Sequence, residues 1–262
     1  MLNKKGCEKF EGTCAERSYY EKAVICVSFF SPFVFYVYAF ASNDLITSSE
    51  QALNAFARSY NTTLIPDQLA RGQLEPVLQD NVSFELVGPG NAEARPLSNN
   101  SICDVRRVGS IGDIDVYQAT YIANLPNLQE TTEEYIDGMR VSFTALYSVR
   151  QYDGDNYNRF INSRLRVLSS SDGNYIDEFR LNFLAAGYGF ADQDSTKRIF
   201  VDYVNPSDRD GPIYAGEGFV RNNNHKEYTA ESPLEGTCAS APFTTSEGSE
   251  FEMEISLGLD EF

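Results

Sequence analysis

The feature that most constrains this chain is an uncharged, apolar segment near its N-terminus. Residues 23–41 read AVICVSFFSPFVFYVYAFA, and lysines and an arginine precede them. The segment ends in Ala-Phe-Ala, a small-x-small pattern of the kind that signal peptidase cuts after. A run that is apolar on all sides is not typical of a helix at the surface of a soluble domain. We therefore predict that residues 1–41 are a signal peptide and that the working protein begins near Ser42.

A membrane anchor is the competing interpretation of the same segment. A type II anchor, with its N-terminus in the cytoplasm, needs a similar apolar length. Lys22 before the segment and Asp44 after it agree with that orientation, whereas Pro32 within it favours a cleaved segment. Both interpretations predict a secreted or lumenal domain. They allow membrane contact only through the N-terminal segment, if that segment is not cleaved.

The charge of the chain excludes two classes of partner. The sequence holds 38 acidic residues against 21 lysines and arginines, so its net charge is −17. Such a surface repels nucleic-acid phosphates and anionic lipids, and we expect neither as a partner. The chain has 16 tyrosines and 18 phenylalanines but no tryptophan, a composition that fits a β-rich globular body.

If the chain is exported, its cysteines and its glycosylation sequons predict covalent modifications. Cys103 and Cys238 are the cysteines that follow the apolar segment. In an oxidising compartment two such cysteines pair by default, so we predict a disulfide between them. The sequons at Asn61, Asn81 and Asn99 predict a glycoprotein in a host that glycosylates.

Periodicity divides the remaining chain into helices followed by strands. A capping box and apolar spacings of three and four predict a helix at about 48–60, and a second helix opens at Pro66. From Asn81 onward the apolar period is two, which is typical of strands. The Asp-Gly pairs at 153–154 and 172–173 predict hairpins that join three long strands into an antiparallel meander. The strand candidates after the one at Val82 lie at about 102–108, 113–123, 140–152, 159–169, 175–184, 197–204 and 213–221.

This order of elements resembles the nuclear transport factor 2-like superfamily, and its SnoaL-like branch in particular. The likeness is carried by residues 52–60, by 74–90 (LEPVLQDNVSFELVGPG) and by 164–183 (RLRVLSSSDGNYIDEFRLNF). In that family a curved sheet folds round the helices to make a cone with an apolar cavity.

The resemblance implies an α+β fold class, with N-terminal helices packed on a curved, mainly antiparallel sheet. The domain would cover residues 42–190, and a β extension at 191–242 would pack on it. Residues 243–262 are rich in acids and predict a solvated C-terminal tail.

One strand face suggests a catalytic group. Asp177 stands among apolar residues at alternate positions, and burial would raise the pKa of its carboxyl group toward that of a general base. Tyr147 and Ser163 lie on the apolar faces of neighbouring predicted strands, so the three side chains could share one cavity. SnoaL-like cyclases resemble this arrangement in using a carboxylate inside the cone. The competing interpretation is that Asp177 lies near a turn and is solvated.

Other catalytic and metal signals are weak. His225 is the single histidine, which excludes a site built from several histidines, and we expect no metal and no cofactor. The expected function is therefore that of a non-catalytic binding domain or a structural or assembly subunit. Its partner would be another protein, a second copy or an apolar small molecule. The alternative is a SnoaL-like cyclase, isomerase or dehydratase that needs no cofactor and uses Asp177 as base and Tyr147 as hydrogen-bond donor.

Overall fold

A computed structural model shows that two antiparallel sheets make up most of the described chain. The helices are α1 (Leu45–Ser59) and α2 (Leu64–Ala70). The strands are β1 (Val24–Ile25), β2 (Val37–Tyr38), β3 (Val82–Val87), β4 (Ile102–Ile111), β5 (Ile114–Pro126), β6 (Asp137–Tyr152), β7 (Asp155–Ser170), β8 (Ile176–Phe179), β9 (Asn182–Ala186), β10 (Tyr188–Ala191), β11 (Ser195–Arg198), β12 (Gly218–Asn222), β13 (Tyr228–Ala230), β14 (Leu234–Thr245) and β15 (Glu250–Leu259). The structure describes residues 24–25, 37–38, 45–88, 101–126, 137–152, 154–171, 173–186, 188–191, 195–198, 210–223, 228–230 and 234–259.

The larger sheet is an antiparallel meander extended at one side. Its strands follow the order β11-β10-β13-β7-β6-β5-β4, and β12 also pairs with β7. The predicted turn between β6 and β7 is confirmed, since Tyr152 pairs with Asp155 and Gly154 between them has a φ of 91°. A positive φ of this kind is readily adopted by glycine, which has no Cβ to clash.

The smaller sheet includes β8, which the sequence predicted as the next strand of the meander. Its order is β3-β15-β14-β8, and β9 also pairs with β14. The predicted hairpin between β7 and β8 is therefore wrong, because β8 leaves the larger sheet and pairs with β14. This crossing places the buried side chains of Ile176 and Phe179 in the shared interior instead of beside β7.

The interior between the sheets is closely filled by aromatic and aliphatic side chains. Tyr121, Phe143, Leu165, Met253 and Ile255 are each 0% exposed. Burying one side chain of this size contributes roughly 1.5–3 kcal/mol to stability. Alternate residues of every long strand supply this layer, so the alternation read from the sequence is the direct cause of the sandwich.

The predicted fold class is wrong. The described chain is mostly β, with two short helices, and its main core lies between two sheets instead of between helices and a curved sheet. Helical residues such as Leu53 and Leu69 contribute only to a smaller, separate cluster, together with Val116 and Ile122 of β5. The helices were predicted to form the main core with the sheet, whereas they form only the smaller one.

The acidic C-terminal region takes part in the smaller sheet. Residues of β15 pair with β3 on one side and with β14 on the other, where the sequence had predicted a solvated tail. Phe251, Met253, Ile255 and Leu257 point into the core at alternate positions and are buried. The acids between them occupy the opposite face, so a high acid count concealed a regular strand pattern.

The predicted signal peptide or anchor lies almost wholly outside the described residues. Within it the structure describes only Val24–Ile25 and Val37–Tyr38, which pair as two short antiparallel strands. Over the described part of the chain, no helix is long and apolar enough to cross a membrane.

The backbone at Gly211 packs closely against β8, and substitutions at two glycines can test this contact. Gly211 and Gly173 have φ values of 156° and 77°, but only at Gly211 would a Cβ overlap the backbone of Asp177. We expect Gly173→Ala to cost about 1 kcal/mol for its positive φ and Gly211→Ala to cost on the order of 3 kcal/mol or more. Urea denaturation of both variants measures the difference. Equal losses would contradict the close contact.

Candidate functional site

The structure separates the predicted catalytic residues. Asp177 lies on β8 with an exposed side chain, whereas Tyr147 and Ser163 are 1% and 0% exposed inside the larger sheet. A general base gains a useful pKa from burial or from a nearby charge. The exposed carboxylate is not enclosed with the other two residues, so the predicted trio does not form one buried site.

Aromatic rings occupy the space around Tyr147 where the sequence predicted a ligand. The ring of Tyr147 stacks on Tyr117 at 5.3 Å between centroids and meets Phe160 edge-on at 6.1 Å. Ser163 pairs with Ala145 across the ladder, and its buried hydroxyl oxygen has no hydrogen-bond partner among the described residues. These contacts make Tyr147 part of the packed interior between the sheets.

Cys103 and Cys238 are both free in the structure, so the predicted disulfide is absent from it. Cys103 lies on β4 of the larger sheet and Cys238 on β14 of the smaller one. Burial raises the pKa of the Cys103 thiol to about 12. Burial also raises the pKa of Cys238, and the charges of Glu254 and Glu252 raise it further.

The raised thiol pKa values predict slow chemistry in the native protein. Because the thiolate is the reactive form, we expect both cysteines to react with a thiol reagent at least about a hundredfold more slowly than free cysteine at pH 8. The rate should increase with pH up to the folded pKa. In denaturant the thiols of Cys103 and Cys238 should then react at once, in addition to those of Cys7, Cys14 and Cys26 if residues 1–41 are still attached. If neither Cys103 nor Cys238 reacts in denaturant without reductant, the two form a bridge and the free-cysteine arrangement is contradicted.

A carboxylate row lies on the outer face of the smaller sheet. Glu254 of β15 stands opposite Glu85 of β3 and opposite Ser240 of β14. Desolvation raises the pKa of Glu254, and the charges of Glu85 and Glu252 add to the effect. The hydroxyl of Ser256 donates a hydrogen bond to Glu254 at 2.5 Å and partly offsets it.

The raised pKa of Glu254 predicts that replacing this residue changes the stability of the fold by an amount that depends on pH. A raised pKa means that the folded state binds the proton more tightly, so the ionised group opposes folding at pH values above the unfolded pKa. We expect Glu254→Gln to raise the melting temperature at pH 7 and to leave it unchanged near about pH 3, where both states are protonated. Glu250→Gln, at an exposed position of the same strand, is the matched control. A destabilising effect of Glu254→Gln at pH 7 would contradict the assignment.

The sequons differ in accessibility. Asn61 is exposed, and its Oδ1 accepts hydrogen bonds from the Thr63 amide at 3.0 Å and from the Thr63 hydroxyl at 2.8 Å. This is the Asx-turn pattern, and it presents the side chain at the surface. Asn81 is half-buried just before β3. Asn99 lies outside the described residues, and glycosylation of all three stays a prediction.

Three aromatic side chains, here called the aromatic surface, are exposed or half-buried on the segment 210–223 and on the residue before β8. Tyr214 is 49% exposed and Phe219 is 36% exposed, and Tyr175 is half-buried. The rings of Tyr175 and Tyr214 lie 5.0 Å apart, and Phe219 meets the buried Phe179 edge-on at 5.2 Å. Large aromatic residues that remain exposed together are typical of interaction sites.

Backbone pairing holds the aromatic surface in place. The Phe179 amide donates to the Asp210 carbonyl at 2.8 Å, and the Ile176 amide donates to the Ile213 carbonyl at 3.0 Å. Further along, β12 pairs with β7, which ties the same segment to the larger sheet. Residues 210–223 therefore bridge the two sheets at one side of the sandwich.

Acidic groups lie beside the aromatic surface. Asp177 and Glu217 are exposed, and the Tyr214 amide donates a hydrogen bond to the Glu217 carboxylate at 3.1 Å. The Arg221 guanidinium is paired with Asp210 at 2.9 Å. Asp177 thus has a position at the rim of an exposed surface, which differs from its predicted place inside a cavity.

Sequence reasoning missed the aromatic surface because it treated residues 213–221 as one ordinary strand. The structure forms a strand only from Gly218, after a turn at Tyr214 to Glu217. The missed signal was the glycine at 216, which has a φ of 87° and marks a turn between two aromatic residues.

Comparison with known proteins adds no relative. No family model matches the chain, and no curated protein matches it. The resemblance to the nuclear transport factor 2-like superfamily stays a prediction. Within the described residues no group of three or more His, Cys, Asp or Glu side chains is placed to hold a metal ion.

Proposed function

We propose that this chain is an exported, non-catalytic assembly domain that docks a basic segment of a partner protein on its aromatic surface. The observation that carries the proposal is the exposure of both Tyr214 and Phe219 on one segment that backbone hydrogen bonds join to both sheets. Tyrosine and phenylalanine are enriched at protein interfaces, and tyrosine is prominent among the residues that dominate binding energy.

The charge of the molecule supports a basic partner. Asp177 and Glu217 flank the aromatic surface, and the whole chain has a net charge of −17. A lysine or arginine of the partner can face these acids and also lie over an exposed tyrosine ring. A second copy fits less well, because two molecules of the same strong charge repel and a two-fold contact brings like acids together.

The enzyme alternative has less support from the geometry. Asp177 is exposed, while Tyr147 and Ser163 lie in a layer of packed rings. An apolar ligand in the interior has equally little support, since the described side chains between the sheets are buried against one another. Export is part of the proposal and depends on the apolar N-terminal segment.

The aromatic surface can be tested with a displayed library of random peptides. We expect selection on the purified domain to enrich basic peptides that also carry aromatic residues or proline. Tyr214→Ala should weaken the selected peptides at least about tenfold, which corresponds to 1.4 kcal/mol. Asp177→Asn together with Glu217→Gln should weaken binding and reduce its dependence on salt.

Leu64→Ala is the matched control, because Leu64 is an exposed apolar residue (54%) at the start of α2. It should leave peptide affinity unchanged. The proposal is contradicted if the enriched peptides carry no excess of basic residues, or if Tyr214→Ala and Leu64→Ala bind them equally well. Sedimentation of the free domain provides a further check, since a dimer abolished by Tyr214→Ala would replace the basic partner with a second copy.

A further inference from the structure

A polar recess opens where the inner face of the larger sheet continues past the packed core. Its volume is about 430 Å³, which lies within the usual range of small-molecule sites. Tyr117 forms the last aromatic contact of the core there, through its stack on Tyr147. Beyond it the recess is lined mainly by polar side chains, although Val149 also contributes. The lining residues include Gln79, Asn81, Asp115, Tyr117, Gln151 and Asn156.

Regular strand geometry fixes these polar groups in place. Gln151 of β6 stands directly opposite Asn156 of β7, so their side chains are neighbours across the ladder. Asp115 lies two residues before Tyr117 on β5 and therefore on the same face. Gly112, with a φ of 62°, makes the tight turn that brings β4 back as β5 at the edge of the recess.

The two carboxylates of the recess are already compensated. Asp115 pairs with Arg107 at 2.6 Å, and Asp113 pairs with Arg150 at 3.2 Å. A bound cation would have to compete with these guanidinium groups. An anionic ligand would meet two carboxylates in a protein of strongly negative charge. The charges of the recess therefore favour a neutral ligand.

We infer that this recess binds a neutral saccharide. Amide side chains offer both donors and acceptors, and carboxylate oxygens accept from hydroxyl groups, which together suit a ligand dense in hydroxyls. A tyrosine ring provides the apolar surface against which the C–H face of a sugar packs.

The sequon at Asn81 has a direct bearing on this site. Asn81 lines the recess, so a glycan attached to it would occupy the space that the ligand needs. The assay therefore uses protein produced without N-glycosylation.

The test is saturation-transfer NMR with cellobiose, mannobiose and chitobiose at millimolar concentration, and with a digalacturonic acid as the charged probe. We expect transfer to at least one neutral disaccharide and none to the acid. Asn156→Ala and Gln151→Ala should each reduce the affinity at least about tenfold. Both residues are exposed, so neither change should lower the melting temperature appreciably.

Asn222→Ala and Gln73→Ala remove the same side chains at exposed positions away from the recess, and they should retain binding. The inference is overturned if no neutral disaccharide shows transfer, if the acid binds equally well, or if the control variants lose as much affinity as the recess variants. The recess and the aromatic surface share no residue, so failure here leaves peptide docking to be judged by its own experiment.

Discussion

Burial of a layer of aromatic and aliphatic side chains between two antiparallel sheets is the interaction on which the rest of this structure depends. Every long strand turns one face toward that layer, and the residues in it are close to fully buried. Among the described residues, side chains of both sheets are buried against one another in this layer. The two proposed binding surfaces lie at the margins of the described sandwich, where strands end or where the chain crosses between sheets.

On the outer face of the larger sheet, ion pairs add to the smaller apolar cluster that holds α1 and α2. Glu50 pairs with Arg159 at 2.7 Å, and Asp67 pairs with Arg166 at 2.5 Å. Gln118, although 0% exposed, donates to the Thr62 carbonyl at 3.2 Å. Buried polar groups of this kind stabilise only when their partners are in place, so they fix the position of the helices more than they add to stability.

Local features of the fold were predictable from the sequence, and long-range ones were not. The alternation in residues 140–152 and 159–169, with Asp153-Gly154 between them, is enough to predict β6, β7 and their hairpin. The same reasoning failed at β8, because the Asp-Gly turn that precedes it permits a hairpin but does not require one. Which strand β8 pairs with depends on β14, more than sixty residues further along, and single-sequence periodicity carries no information about that choice.

The candidate sites show the same limit. Alternation correctly placed Tyr147 and Ser163 on a buried face. It could not decide between a buried and a solvated Asp177, because that depends on the pairing with β14, where a register shift between Ile176 and Glu178 leaves Asp177 out of the ladder and exposed. The recess residues Asp115, Gln151 and Asn156 were equally visible in the sequence, but only the register of β5, β6 and β7 brings them together.

The residues of the aromatic surface divide between a structural role and the proposed binding role. Phe219 covers Phe179, which is 2% exposed, so part of the reason for its position is to shield the core. Tyr214 contacts Tyr175 instead, and nearly half of its surface stays in water. The exposed part of the Tyr214 ring contributes no burial energy, because it meets water in the folded and in the unfolded chain. The core has no need of Tyr214 at that position, and this makes Tyr214 the residue whose presence a binding role explains best.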